Sequence, residues 1–276
     1  MLHLSGGLFC GMEVAKNVRP RRLFRMIALG LGGLYALLCV GAHFGYRKVL
    51  YPAPQTDTAR IPSGARVLDF RAADGVPVHA MEFANPAATR HIVYFHGNGE
   101  VMGDSIWMAQ GLVAHGFAVT LVEYRGYGRS IGTAPTEEGL YADATAVLDD
   151  LAKRGIRDVV LWGQSLGSGV AAEMAHRGHG TALVLVTPYT SIPDMAARFA
   201  GFLPVQLLVG DRFATLAKAP SITLPTVVVH GTVKMGERVA AAIPGARFER
   251  IVGGHHMDTF LVDRGLLARV AAVIAK

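Results

Sequence analysis

Hydrophobic positions fall into three textures along the chain. Residues 26–46, MIALGLGGLYALLCVGAHFGY, are apolar almost without a break and carry no Asp, Glu, Lys or Arg. A helix of this length spans roughly 30 Å, the hydrocarbon thickness of a bilayer. Next, residues 66–72 (RVLDFRA) and 76–83 (VPVHAMEF) alternate apolar and polar around Asp74-Gly75, which predicts a β-hairpin. Short continuous apolar runs then recur at 91–95, 117–124, 158–163, 182–187, 226–231 and 247–253, with helical patterns between them. In 137–155, Leu140, Ala144, Val147, Leu148 and Leu151 share one helical face, and Gly155 stops the helix. Apolar strands alternating with helices predict a mostly parallel sheet covered on both faces. The longest gap, 188–225, predicts two short helices broken at Pro204.

Composition sharpens this picture. Hydrophobic residues make up 51% of the 276 positions and charged ones 17%, which excludes a disordered chain. The net charge of +6 is local. Residues 1–48 hold Lys16, Arg19, Arg21, Arg22, Arg25, Arg47 and Lys48 against Glu13 alone, and the rest of the chain balances to zero. Basicity confined to one end argues against nucleic acid as a partner. It fits the positive-inside rule instead: the arginines before residue 26 stay cytoplasmic, and the remainder lies on the extracytoplasmic side. A cleaved leader is the competing reading, since VGA at 40–42 resembles a cleavage site, but the apolar run is longer than a leader's core. Cys10 and Cys39 both precede residue 48 and imply neither a disulfide framework nor a metal site.

Three segments carry chemistry. Gly163-Gln164-Ser165-Leu166-Gly167 is G-x-S-x-G between an apolar strand and a helical pattern. There the serine sits in a strained turn with its Oγ raised above the sheet, and the flanking glycines let strand and helix crowd together. Tyr94–Glu100, YFHGNGE, ends a strand in a Gly-rich turn. An oxyanion hole needs two N–H groups aimed at one point, and Asn98 and Leu166 are the expected donors. His96 reads as a structural hydrogen-bonder. The third segment, VGGHHMDTF at 252–260, follows the last predicted strand, where the base of a Ser-His-acid triad belongs in chain order. Either His255 or His256 could serve. His-His-x-Asp could also hold a metal, but no third convergent ligand is evident, and no metal or organic cofactor is expected.

Together these segments resemble an alpha/beta-hydrolase-fold protein, specifically the membrane-anchored alpha/beta hydrolase domain group described as serine aminopeptidase-like. Similar in detail are RKVLYPAP after the apolar run, YRGYGRSIGTAPTEEGLYADA at 124–144, TSIPDMAARF at 190–199 and PVQLLVGDRF at 204–213. The resemblance implies an α/β fold, with a mostly parallel eight-stranded sheet, helices on both faces and one N-terminal transmembrane helix before it. The implied organisation is a basic tail over 1–25, an anchor over 26–46 and a hydrolase domain over 47–276. A family motif of the type G-G-H-N-D aligns on His256 and retains Asp258, with Met257 departing from it. The family's triad acid stands in a loop after the strand equivalent to 226–231. Here that loop is shorter by about five residues, and Lys234 occupies the expected place. Glu237 or Asp194 could replace the acid; otherwise none works. The implied function is a serine hydrolase acting on a small-molecule or acyl substrate (an ester, thioester or amide). The alternative is a catalytically impaired or inactive anchored domain that binds a partner or lipid.

Overall fold

The computed structural model describes residues 20–231, 234–252 and 265–275. Every strand expected from the apolar runs is present. They are β1 (Ala65–Arg71), β2 (Pro77–Phe83), β3 (His91–Phe95), β4 (Ala118–Glu123), β5 (Val159–Gln164), β6 (Ala182–Val186), β7 (Thr226–His230) and β8 (Arg247–Arg250). They form one eight-stranded sheet in the order β1-β2-β4-β3-β5-β6-β7-β8. The hairpin β1–β2 and the pair β2–β4 are antiparallel, and all later pairs are parallel. At the hairpin turn Gly75 has φ 82° and its N–H donates to Ala72 O at 2.8 Å, a backbone state that glycine enters without steric cost.

The central strands are buried on both faces because helices cover both. Along β3 and β5, side chains alternate between two apolar layers. Val93, Phe95, Val159 and Leu161 join one layer, and Ile92, Tyr94, Val160 and Trp162 the other. The first layer is closed by α3 (Glu137–Lys153), α4 (Leu166–His176) and α8 (Lys234–Ala242), which contribute Leu140, Val170 and Val239. The second is closed by α2 (Ile106–Ala114) and α9 (Leu266–Ile274) through Leu112 and Val270. Helix α3 begins where the sequence predicts: the Thr136 hydroxyl accepts the Gly139 N–H at 3.0 Å. The 188–225 connection holds three short α-helices among the described residues, not two, α5 (Ile192–Ala200), α6 (Val205–Leu208) and α7 (Thr215–Lys218), with a 3-10 turn at Ala219–Ser221 after them. Pro204 caps α6. Strand β8 stops three residues short of its apolar run. The Ile251 N–H still donates to His230 O at 2.9 Å, but ladder pairing ends at Arg250.

The 26–46 run lies inside a longer helix, α1 (Pro20–Leu50), whose apolar window has a mean hydropathy of 2.0 and is not buried. Residues through Ala42 form one compact unit and those from His43 onward a second. Within the second unit, buried Asp211 accepts from the Tyr46 hydroxyl at 2.9 Å, Arg47 Nε at 2.7 Å and the Glu137 N–H at 3.1 Å. One carboxylate thereby ties the last turns of α1 to the start of α3.

Candidate active site

Ser165 occupies the single residue between β5 and α4 with φ 49° and ψ −115°. This left-handed conformation is uncommon for a non-glycine residue and costs on the order of 1–3 kcal/mol, so the surrounding structure must impose it. The neighbours explain how it is imposed. Strand β5 runs directly into α4 while both pack against β3. A Cβ on Gly163 would fall 2.6 Å from the Ser168 Cα, and one on Gly167 would fall 2.8 Å from the His96 carbonyl oxygen. Only glycine at both positions lets the backbones close up around the turn. The Ser165 N–H donates to Val186 O at 2.9 Å, and its carbonyl accepts from the Ser168 hydroxyl at 2.6 Å, which fixes the turn from both sides. Ser165 itself is partly exposed at the carboxyl end of the sheet.

The turn after β3 sits beside this elbow and is clasped to it. The Gly97 N–H donates to Glu100 Oε2 at 2.9 Å, and the other oxygen of Glu100 accepts Gln164 Nε2 at 3.0 Å. Gln164 in turn accepts from the Tyr94 hydroxyl at 3.0 Å. Burial, with the Glu100 charge nearby, pushes the Tyr94 phenol up, so it remains a donor. The Tyr127 hydroxyl holds Asn98 O at 3.0 Å, and the Asn98 side chain reaches Leu50 O at 3.4 Å. Among the described residues the turn spends the Gly97 and Glu100 N–H groups internally, and not those of Asn98 and Gly99. The Leu166 N–H is one of the opening amides that a helix leaves without an intrahelical acceptor. His96 is fully buried: its Nδ1 donates to Gly97 O at 2.8 Å, its Nε2 faces Glu123 Oε1 at 3.3 Å, and its ring lies 4.3 Å from that of Tyr124.

Both described acid candidates are occupied by other partners. Asp194 lies in the first turn of α5, where Ser191 caps its N–H at 3.1 Å. Its carboxylate accepts from the Thr190 hydroxyl at 2.6 Å and from Gln206 Nε2 at 3.1 Å. Burial opposes ionisation there, but these hydrogen bonds outweigh it and hold the carboxyl below its ordinary range. Glu237 is half-exposed on α8 and paired with Arg250 of β8. His255, His256 and Asp258 lie outside the described residues, as does Thr232. The Glu100–Gln164 clasp and the Tyr127 contact to Asn98 were not anticipated from the sequence. Each joins residues far apart in the chain, and the only local hint is that Gln164 fills a variable place in G-x-S-x-G.

A family profile described as serine aminopeptidase, S33, matches residues 86–216, which include both the turn after β3 and the Ser165 turn. Over 235 residues the chain is 31% identical to the uncharacterized protein Rv2307c of Mycobacterium tuberculosis, covering 79% of this chain and 82% of that one. The chain belongs to the alpha/beta-hydrolase family, and its general class is that of a hydrolase. It is also similar to the lysophosphatidylserine lipase ABHD12 of Mus musculus, 32% identical over 173 residues, covering 54% of this chain and 43% of the lipase. Among solved structures, the esterase Pf2001 of Pyrococcus furiosus shares the fold with a TM-score of 0.66 at 17% identity, covering 81% of this chain and 98% of that one.

If backbone crowding sets the elbow, Gly167→Ala destabilises the protein by about 3 kcal/mol or more, because rigid carbonyl groups block the new methyl. Thermal denaturation of the purified protein measures it; a melting temperature equal to wild type would contradict the steric account.

Proposed function

We propose that the protein is a membrane-anchored serine hydrolase that cleaves an ester, thioester or amide through an acyl-enzyme. The observation that carries this is the backbone of Ser165, held at positive φ on a strand-to-helix turn between two sterically required glycines. In the mechanism, Ser165 Oγ attacks the carbonyl carbon while His256 takes its proton, and a tetrahedral oxyanion forms. The Asn98 and Leu166 N–H groups stabilise that oxyanion. Collapse expels the leaving group, protonated by His256, and water then attacks the acyl-enzyme by the same route. The proposed organisation is a tail over 1–25, a single-pass anchor over 26–46 with its N-terminus cytoplasmic, and a hydrolase domain over 47–276 on the extracytoplasmic side. No cofactor is required by this chemistry.

A second reading is favoured by the described partners of the two candidate acids, Thr190 and Gln206 for Asp194 and Arg250 for Glu237, together with the shortness of the acid loop. The protein would then be a catalytically impaired member of the family, or an inactive one that binds a partner or lipid. A triad acid is worth up to about 10⁴ in kcat, and serine, histidine and oxyanion donors retain part of the catalysis without it.

Treatment of the full-length protein with a fluorophosphonate probe should label wild type and leave Ser165→Ala unlabelled; equal labelling of the two would refute the nucleophile. Inserting an acid-bearing loop between Thr232 and Lys234 tests the second reading. A rise in p-nitrophenyl ester turnover toward about 10⁴-fold marks the natural protein as impaired, and no rise means that an acid is already supplied.

A further inference from the structure

Two ionisable side chains lie behind the turn after β3, and the proposed acyl transfer gives neither a role. His96 and Glu123 are both fully buried, with Nε2 3.3 Å from Glu123 Oε1, an ion-pair contact rather than an aligned hydrogen bond. That oxygen also accepts the Met102 N–H at 3.2 Å. The other oxygen of Glu123 is seated against Gly128, whose φ is 42° and where any Cβ would collide with it. Among the described residues no other charged group pairs with either side chain. The rings of Tyr124 and Tyr127 complete the surroundings, 4.3 and 5.3 Å from that of His96.

His96 Nδ1 lies 2.8 Å from Gly97 O, and a carbonyl only accepts, so Nδ1 carries a hydrogen. Glu123 then decides what stands at the second nitrogen. A bare Nε2 facing a carboxylate would set two acceptors against each other in a site closed to solvent. A proton between them, on either atom, removes that conflict and leaves no unpaired buried charge. The partner of one ring nitrogen thereby fixes the role of the other.

The Gly97 carbonyl belongs to the same peptide unit as the Asn98 N–H. No described peptide bond is cis, and in a planar trans unit C=O and N–H point in opposite directions. Holding the carbonyl toward the buried ring therefore turns the Asn98 N–H away from the core. A hydrogen bond into the carbonyl also polarises the unit, which strengthens its N–H as a donor. The Glu100 N–H reaches the same carbonyl only at 3.4 Å, and the Tyr127 hydroxyl holds the next one, Asn98 O, at 3.0 Å. We infer that Glu123 and His96 are positioning residues for the oxyanion: the pair orients and polarises the Gly97–Asn98 peptide from behind. This rests on the proposed hydrolase reading, in which the Asn98 N–H is one of two oxyanion donors.

Hydrolysis of p-nitrophenyl acetate and fluorophosphonate labelling by the full-length protein test this in His96→Leu, His96→Asn and Glu123→Gln, with rates taken per folded molecule from thermal melts. Loss of one oxyanion donor costs about 10²–10³ in kcat, so His96→Leu should lose at least about tenfold in kcat, with KM changed by no more than about twofold. The Asn amide can donate from the place of Nδ1, and His96→Asn should recover most of that loss. In Glu123→Gln the amide oxygen must stay on the Met102 N–H. It draws the proton of a neutral imidazole to Nε2 and leaves Nδ1 bare against Gly97 O, so kcat should again fall about tenfold. Unchanged kcat in His96→Leu, or equal losses in His96→Leu and His96→Asn, would assign the ring to packing and overturn the inference. If His96→Leu does not fold, unchanged kcat in the nearly isosteric Glu123→Gln overturns it alone. A wild-type protein that neither turns over the ester nor takes the label overturns the hydrolase reading and this inference together.

Discussion

The contact on which the site depends is the close approach of the β5–α4 turn to the end of β3. The carbonyl groups of Phe95 and His96 occupy the space that a side chain at position 167 would need, and the Gly167–Ser168 backbone fills what a side chain at 163 would need. This crowding compresses the connection to a single residue and drives Ser165 into its unusual conformation. The cost of about 1–3 kcal/mol is met by the burial of strands covered on both faces, where each large apolar side chain is worth about 1.5–3 kcal/mol. A strained serine above a rigid sheet is thus a product of the core as a whole.

The same contact unites the two halves of the site. Since the elbow packs on β3, the turn that follows β3 falls beside Ser165, and the Glu100–Gln164 clasp fixes it there. Tyr94, Tyr124 and Tyr127 line this junction as neutral donors, their phenols pushed up chiefly by burial. Two of them bind backbone carbonyls of the turn itself, at His96 and Asn98. His96 is consumed in this scaffold, as expected of a structural histidine in a buried polar cluster.

Much of the fold was legible in the sequence because its signals are local. Strands buried on both faces leave continuous apolar runs, helix α3 announces itself by a periodic face and a glycine stop, and the elbow needs two glycines at fixed spacing. What escaped depends on contacts between distant segments. Nothing near position 211 signals that its carboxylate ties α1 to α3, because Tyr46 and Glu137 lie far away in the chain. Helix α7 is a single turn, too short to leave a period. Asp194 reads in the sequence as one of two acids that could replace the missing one; that its carboxylate accepts from Thr190 and Gln206 in the first turn of α5 is a contact that sequence spacing does not reveal.

The central claim is that Ser165 works with an imidazole supplied from near the end of the chain, and specifically with His256. The most direct test compares fluorophosphonate labelling rates of His256→Ala and His255→Ala. The account predicts a loss of at least about 10³-fold for His256→Ala and a near-wild-type rate for His255→Ala. Equal rates in the two variants, or the larger loss at His255, would contradict it.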